Sequence, residues 1–101
     1  MRIVEILGTN MDLTEAIKDR VEKRLSSMVK ITEGLEPCDV AVDVGKTTTG
    51  QNKGKIFRAE FNMTVPGKLL RAERVEEDLY AAIDVAAKEL KRQLAEYKDR
   101  R

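Results

Sequence analysis

Three stretches carry residue types that could do chemistry. Gly45-Lys46-Thr47-Thr48-Thr49-Gly50 superficially resembles a phosphate-binding loop. Such a loop, however, puts Lys and Ser/Thr directly after its second glycine and opens a helix whose first amides cradle phosphate. Here Gln51-Asn52 follow and the next pattern is that of a strand, so the stretch reads as a solvated hairpin loop. Lys46 and Lys53 add at most a phosphate contact. Glu76-Glu77-Asp78 offers carboxylates for acid–base work, but three acids just before a helical pattern are the usual dipole and capping residues. Cys38 has no second cysteine to pair with, and no histidine exists to activate it or to complete a zinc site. Cys38 therefore reads as a buried small hydrophobe, and the chain as a non-enzyme that needs no cofactor and no metal.

What remains is basic charge. The formal net charge of +1 argues against a nucleic-acid partner only if charge is spread evenly. It is not: residues 1–50 carry seven basic and nine acidic side chains, and residues 51–101 carry twelve and nine. Between Gly45 and Arg58, Lys46, Lys53, Lys55 and Arg58 stand without an acid in the sequence, and the segment after Lys88 is basic again. Aromatic residues make up only 4% of the chain, and Phe57 and Phe61 fall on an expected core face. Base stacking on a sheet is therefore a poor fit, and recognition of the backbone and shape of structured RNA is the better one. A plain solvated surface is the alternative for the same lysines and arginines.

The elements that must position these residues follow from periodicity. Arg2–Leu7 is a short β-branched run ending at Gly8, with a turn at Thr9-Asn10. Leu13, Ile17, Val21, Leu25 and Met28 then line one face of a helix reaching about Lys30, with Thr14 or Asp12 as its N-cap. Cys38, Val40, Val42 and Val44 alternate with polar residues as a half-buried strand does. Gly45–Gly54 has no apolar residue and reads as a loop. Phe57, Ala59, Phe61, Met63 and Val65 give a third strand, Pro66-Gly67 a type II turn, and Lys68–Arg74 a fourth strand. Leu79, Ile83, Ala86, Leu90, Leu94 and Tyr97 form the stripe of a last helix that starts in the acidic cluster and ends in Lys98, Arg100 and Arg101. The expected fold is α+β in the order β-α-β-β-β-α, a four-stranded sheet with two helices on one face. At 101 residues it fits one domain spanning 1–101. No apolar run approaches the roughly 18 residues of a membrane span, and Met1–Glu5 is unlike a signal peptide, so a cytoplasmic protein with no membrane association is expected.

Asp78-Leu79-Tyr80-Ala81-Ala82-Ile83-Asp84, then Lys91-Arg92-Gln93-Leu94 and Tyr97-Lys98-Asp99-Arg100, resembles the final helix of ribosome hibernation-promoting factors and ribosome-associated inhibitors, the sigma-54 modulation protein family. Leu13-Thr14-Glu15-Ala16 and Val21-Glu22-Lys23-Arg24-Leu25 are similar to that family's first helix. The resemblance spans nearly the whole chain and is weakest from Gly45 to Gly54. It implies a fold similar in arrangement to double-stranded RNA-binding domains. It also implies a protein, monomeric off the ribosome, that lies in the mRNA and tRNA channel of the small ribosomal subunit, contacts ribosomal RNA near the decoding region, and keeps ribosomes inactive under stress.

Carried over residue by residue, the implied RNA-binding positions are Lys18, Arg24, Lys46, Arg92, Lys98 and Arg100, with Lys88 and Lys91 beside them. Relatives often place basic residues where this chain has Glu89 and Glu96, so its footprint is expected to be rotated about the helix or weaker. Long family members add a dimer-forming domain after a linker, and this chain corresponds to the short form or to the first domain of a long one. Two other functions fit the residues without the resemblance. One is a general binder of structured RNA, and the other a protein–protein adaptor using the mixed charges Arg58, Glu60, Arg71 and Glu73.

Overall fold

A computed structural model describes residues 1–50 and 53–100. Gln51 and Asn52 of the expected loop and Arg101 of the expected helix end lie outside the described residues. The elements are β1 (Arg2–Thr9), α1 (Glu15–Ser26), α2 (Val29–Thr32), β2 (Asp39–Lys46), β3 (Phe57–Val65), β4 (Lys68–Glu76) and α3 (Leu79–Asp99). The strands form one sheet in the order β1-β2-β3-β4, with β1 parallel to β2 and the other two pairs antiparallel. The α+β architecture expected from periodicity is the one observed, with one short helix added.

That added helix corrects the expectation of one helix running to Lys30. Ser26 and Ser27 turn their hydroxyls back onto the carbonyls of Lys23 and Arg24 at 2.8 and 2.7 Å, and the Met28 amide bonds the Leu25 carbonyl in a tighter turn. Serine back-bonding of this kind competes with helix propagation. α1 stops there, and the single turn α2 follows. Thr14, not Asp12, caps α1 by accepting from the Ile17 amide at 3.2 Å. Leu13 lies before the helix, half-buried against the core.

Two glycines expected to end strands lie inside them. β1 continues through Gly8 to Thr9, and β2 continues through Gly45 to Lys46, because residues 7–9 pair in register with residues 43–45. The turn after β1 falls on Asn10, with φ of 59°. Strand three matches its expected bounds, and the hairpin turn has Gly67 at φ 77°, where glycine carries no Cβ penalty. β4 runs two residues beyond Arg74. α3 begins only at Leu79, with Asp78 as its N-cap accepting from the Ala81 amide at 2.9 Å, so Glu76 closes the strand and does not start the helix.

The core lies between the helices and one sheet face. Val21, Leu25, Val40, Phe61, Met63, Ile83, Leu90 and Leu94 are fully buried there, and Cys38 is buried as expected, its thiol pushed up by desolvation. At about 25 cal/mol per Å² of apolar surface, each such side chain contributes roughly 1.5–3 kcal/mol relative to exposure. The other sheet face carries the charges. Register places Asp43 beside Glu60 and Glu60 beside Glu73, three carboxylates in a row across β2, β3 and β4. Arg58 and Arg71 interleave them: Arg58 reaches Glu60 at 2.8 Å and Glu73 at 2.5 Å, and Arg71 bonds Glu60. Arg58, which faces no acid in its own stretch of sequence, is thus surrounded by acids in space.

Candidate nucleic-acid interface

α3 presents two different faces to solvent. Along one, Asp84, Lys88, Lys91 and Lys98 recur at helical spacing and form one stripe. α1 lies alongside, and its Arg20 and Arg24, four residues apart, meet that stripe. Asp84 joins the helices. Its Oδ1 accepts from Arg24 Nε at 2.7 Å and from Arg20 Nη1 at 3.2 Å, and its Oδ2 accepts from the same Nη1 at 2.9 Å. Burial alone would raise the Asp84 pKa, but the hydrogen bonds from Arg24 and Arg20 outweigh it and hold the carboxyl below its ordinary value. The Arg20 guanidinium also stacks over the Tyr80 ring, 5.0 Å from its centroid.

Beside this clasp, Arg24, Ser27, Met28, Ala87, Lys88 and Lys91 line an open groove of about 320 Å³. Its floor is apolar, since Met28 and Ala87 are buried, and its rim carries Arg24, Lys88 and Lys91 together with the Asp84 carboxylate. Lys88 and Lys91 are exposed and have no ion-pair partner among the described residues. Lys98 extends the stripe and donates to the Ile31 carbonyl at 2.9 Å, tying the end of α3 to α2. The seam between α1 and α3 therefore holds Arg20 and Arg24 on the Asp84 carboxylate and places Arg24, Lys88 and Lys91 around the groove, with Lys98 farther along α3.

The second exposed face of α3 is charge-matched. Arg92 donates to Glu89 through Nε at 3.0 Å and Nη2 at 2.6 Å, and to Glu96 through Nη1 at 2.9 Å. Arg100 pairs with Glu96 at 3.1 Å, and Arg74 of β4 approaches Glu89 at 3.6 Å. Hydrogen bonds from Arg92 first, then from Gln93, hold the Glu89 carboxyl down at about 2, and Arg92 is correspondingly raised.

The eight basic positions expected to bind RNA are thus divided. Arg24, Lys88 and Lys91 converge on the groove, and Lys98 lies farther along the same stripe. Arg92 and Arg100 stand on the adjoining, neutralised face. Lys18 sits on α1, 3.7 Å from Glu15, and Lys46 lies at the end of β2 over the Phe57 ring at 5.9 Å, neither of them lining the groove. Arg20 was not among the eight. Its spacing of four from Arg24 was the available signal, and only the packing of α1 on α3 gives that spacing a meaning. Among the described residues no group of three or more His, Cys, Asp or Glu is placed to hold a metal ion.

The class that this fold and face define is a small α+β domain with a cationic helical seam on one side and a charge-matched sheet on the other. The family model described as Sigma 54 modulation protein / S30EA ribosomal protein matches residues 4–101, and the chain belongs to that family. It is 33% identical over 100 residues to a ribosome hibernation promotion factor of Deinococcus radiodurans, covering 99% of this chain and 51% of that protein. A ribosome hibernation promoting factor of Azotobacter vinelandii is 34% identical, with coverage of 96% and 83%. The chain therefore spans about half the length of the Deinococcus relative and most of the Azotobacter one. Among solved structures, the N-terminal domain of Thermus thermophilus Protein Y superposes with a TM-score of 0.80 at 34% identity, covering 96% of this chain and 99% of that one. A ribosomal subunit interface protein from Coxiella burnetii superposes at 0.79 with 20% identity, a likeness of fold.

Proposed function

We propose that this chain is a ribosome-binding hibernation factor that lays its α1–α3 seam on ribosomal RNA, occupying the mRNA and tRNA channel of the small subunit. The observation that carries this reading is the seam itself, found in a chain whose relatives are named for ribosome hibernation. Lysines and arginines on a helical face contact phosphates without reading sequence, which suits a structured RNA surface. The action is occupancy and not catalysis: the domain holds ribosomes inactive in the cytoplasm by filling a channel that translation needs. It requires no cofactor, and it acts as a single ribosome-binding domain that is monomeric off the ribosome. The expected RNA-binding set is Arg24, Lys88, Lys91 and Lys98 on the seam, flanked by Lys18, Lys46, Arg92 and Arg100.

Cosedimentation with ribosomes over a salt series tests it. Binding is expected to weaken steeply as salt rises, through counterion release, and an mRNA-programmed translation reaction is expected to slow as the protein is added. Equal affinity for unrelated RNA duplexes would make the chain a general RNA binder, and binding indifferent to salt would remove the seam from the mechanism.

A further inference from the structure

One carboxylate of the cationic seam, Asp84, is shared by Arg20 and Arg24. Simple electrostatics makes Asp84 a liability there, because it cancels one of the charges that phosphate needs. Its geometry argues the reverse. Arginine has a planar fork of donors on a long flexible stem, and a fork that is already oriented loses less entropy when it meets a phosphate. Asp84 takes Arg24 through Nε alone, at 2.7 Å, which anchors the guanidinium by one edge and leaves its terminal nitrogens for another acceptor. Both terminal nitrogens of Arg24 carry no hydrogen bond among the described residues, and Arg24 lines the groove with Ser27, Asp84, Lys88 and Lys91. Arg20 is held more completely. Its Nη1 spans both Asp84 oxygens and its face lies on Tyr80, so it serves as the brace that keeps the carboxylate in place.

We propose that Asp84 is a positioning residue for RNA phosphate: although acidic, it strengthens binding by fixing Arg24 as a preformed donor fork beside Lys88 and Lys91. This rests on the RNA-binding reading above. The two effects of losing the carboxylate oppose each other. An added unit of positive charge at a screened surface is worth about a twofold gain in affinity. Releasing two long arginine side chains that must then be ordered on binding outweighs that gain, and binding is expected to fall overall by about fivefold to tenfold.

The test uses the full chain and ribosomes at fixed salt, with circular dichroism and thermal midpoints confirming that each variant folds. Asp84→Asn is expected to bind about fivefold to tenfold more weakly than the wild type despite its higher net charge. Arg24→Lys keeps the charge but loses the fork, and is expected to lose a similar factor. Adding Asp84→Asn to Arg24→Lys is expected to cost less than it does in the wild-type background, because the fork to be positioned is gone. A merely structural role would give no such coupling and would track the thermal midpoint. Tighter binding by Asp84→Asn, or additive losses, would overturn the positioning role while leaving the RNA reading intact. Failure of the wild type to bind ribosomes at all would overturn both.

Discussion

Gly45 on β2 lies directly against the main chain of Thr9 on β1: a Cβ at Gly45 would stand 1.9 Å from the Thr9 carbonyl oxygen. The clash is with backbone, which cannot swing aside as a side chain can. Gly45→Ala is therefore expected to push the ends of β1 and β2 apart, at a cost of about 1–3 kcal/mol. Urea unfolding at equilibrium measures it, and an unchanged midpoint would mean that the two strand ends part without penalty.

The carboxylate row on the open sheet face makes Arg58 more important to stability than an exposed cation. Like charges on adjacent strands repel, and Arg58 stands between Asp43, Glu60 and Glu73 with most of its side chain covered. Arg58→Met is expected to destabilise by about 1–2 kcal/mol at neutral pH, the range for a charged hydrogen-bond partner removed from a covered site. Glu60 is held below its ordinary value of 4.5 by Asn62, Arg71 and Arg58, against a burial effect that alone would raise it. Its stabilisation is present above pH 4.5 and fades as pH falls. The Met variant is therefore expected to approach the wild type in acid, which denaturation at pH 7 and pH 3 would show.

Glu89 titrates in the folded chain at about 2, against an ordinary 4.5. A depressed carboxylate contributes stability that is fully present above 4.5 and is lost as pH falls through that window toward 2. Carboxyl chemical shifts followed by NMR are expected to place its midpoint near 2. In Glu89→Gln, the acid limb of the stability curve is expected to flatten between those limits, and an unchanged limb would assign the acid dependence to other groups.

Lys88 and Lys91 have no ion-pair partner among the described residues, whereas Arg92 is bound on both sides by Glu89 and Glu96. Lys88→Glu with Lys91→Glu is expected to weaken ribosome cosedimentation more than Arg92→Glu does. Each lost phosphate contact is expected to lower the slope of log affinity against log salt by about 0.7–0.9. Equal effects from the two faces would show that Arg92 leaves its glutamates when RNA binds.

Much of the fold and part of the site are written in the sequence. Alternation from Phe57 to Val65, the Pro66-Gly67 turn and the stripe from Leu79 to Tyr97 specify their elements because side-chain period follows directly from backbone geometry. Glycine was ambiguous: Gly45 marks a close approach of two strands, and Gly8 a close approach of β1 to Met11 and Leu13 in the segment after it, and neither ends its strand. The same limit applied to charge. The sequence by itself determined which helix faces are apolar and where basic residues cluster along the chain. The pairing of Arg92 with Glu89 and Glu96 is likewise local, three and four residues apart on α3. Tertiary structure decided that Arg58 is enclosed by acids, that Arg20 and Arg24 meet Asp84 across two helices, and that Arg24 shares a groove with Lys88 and Lys91. The physical reason is reach: hydrophobic periodicity is a local property, but a charge is defined by neighbours within a few ångströms, and here most of those neighbours are supplied by a different element.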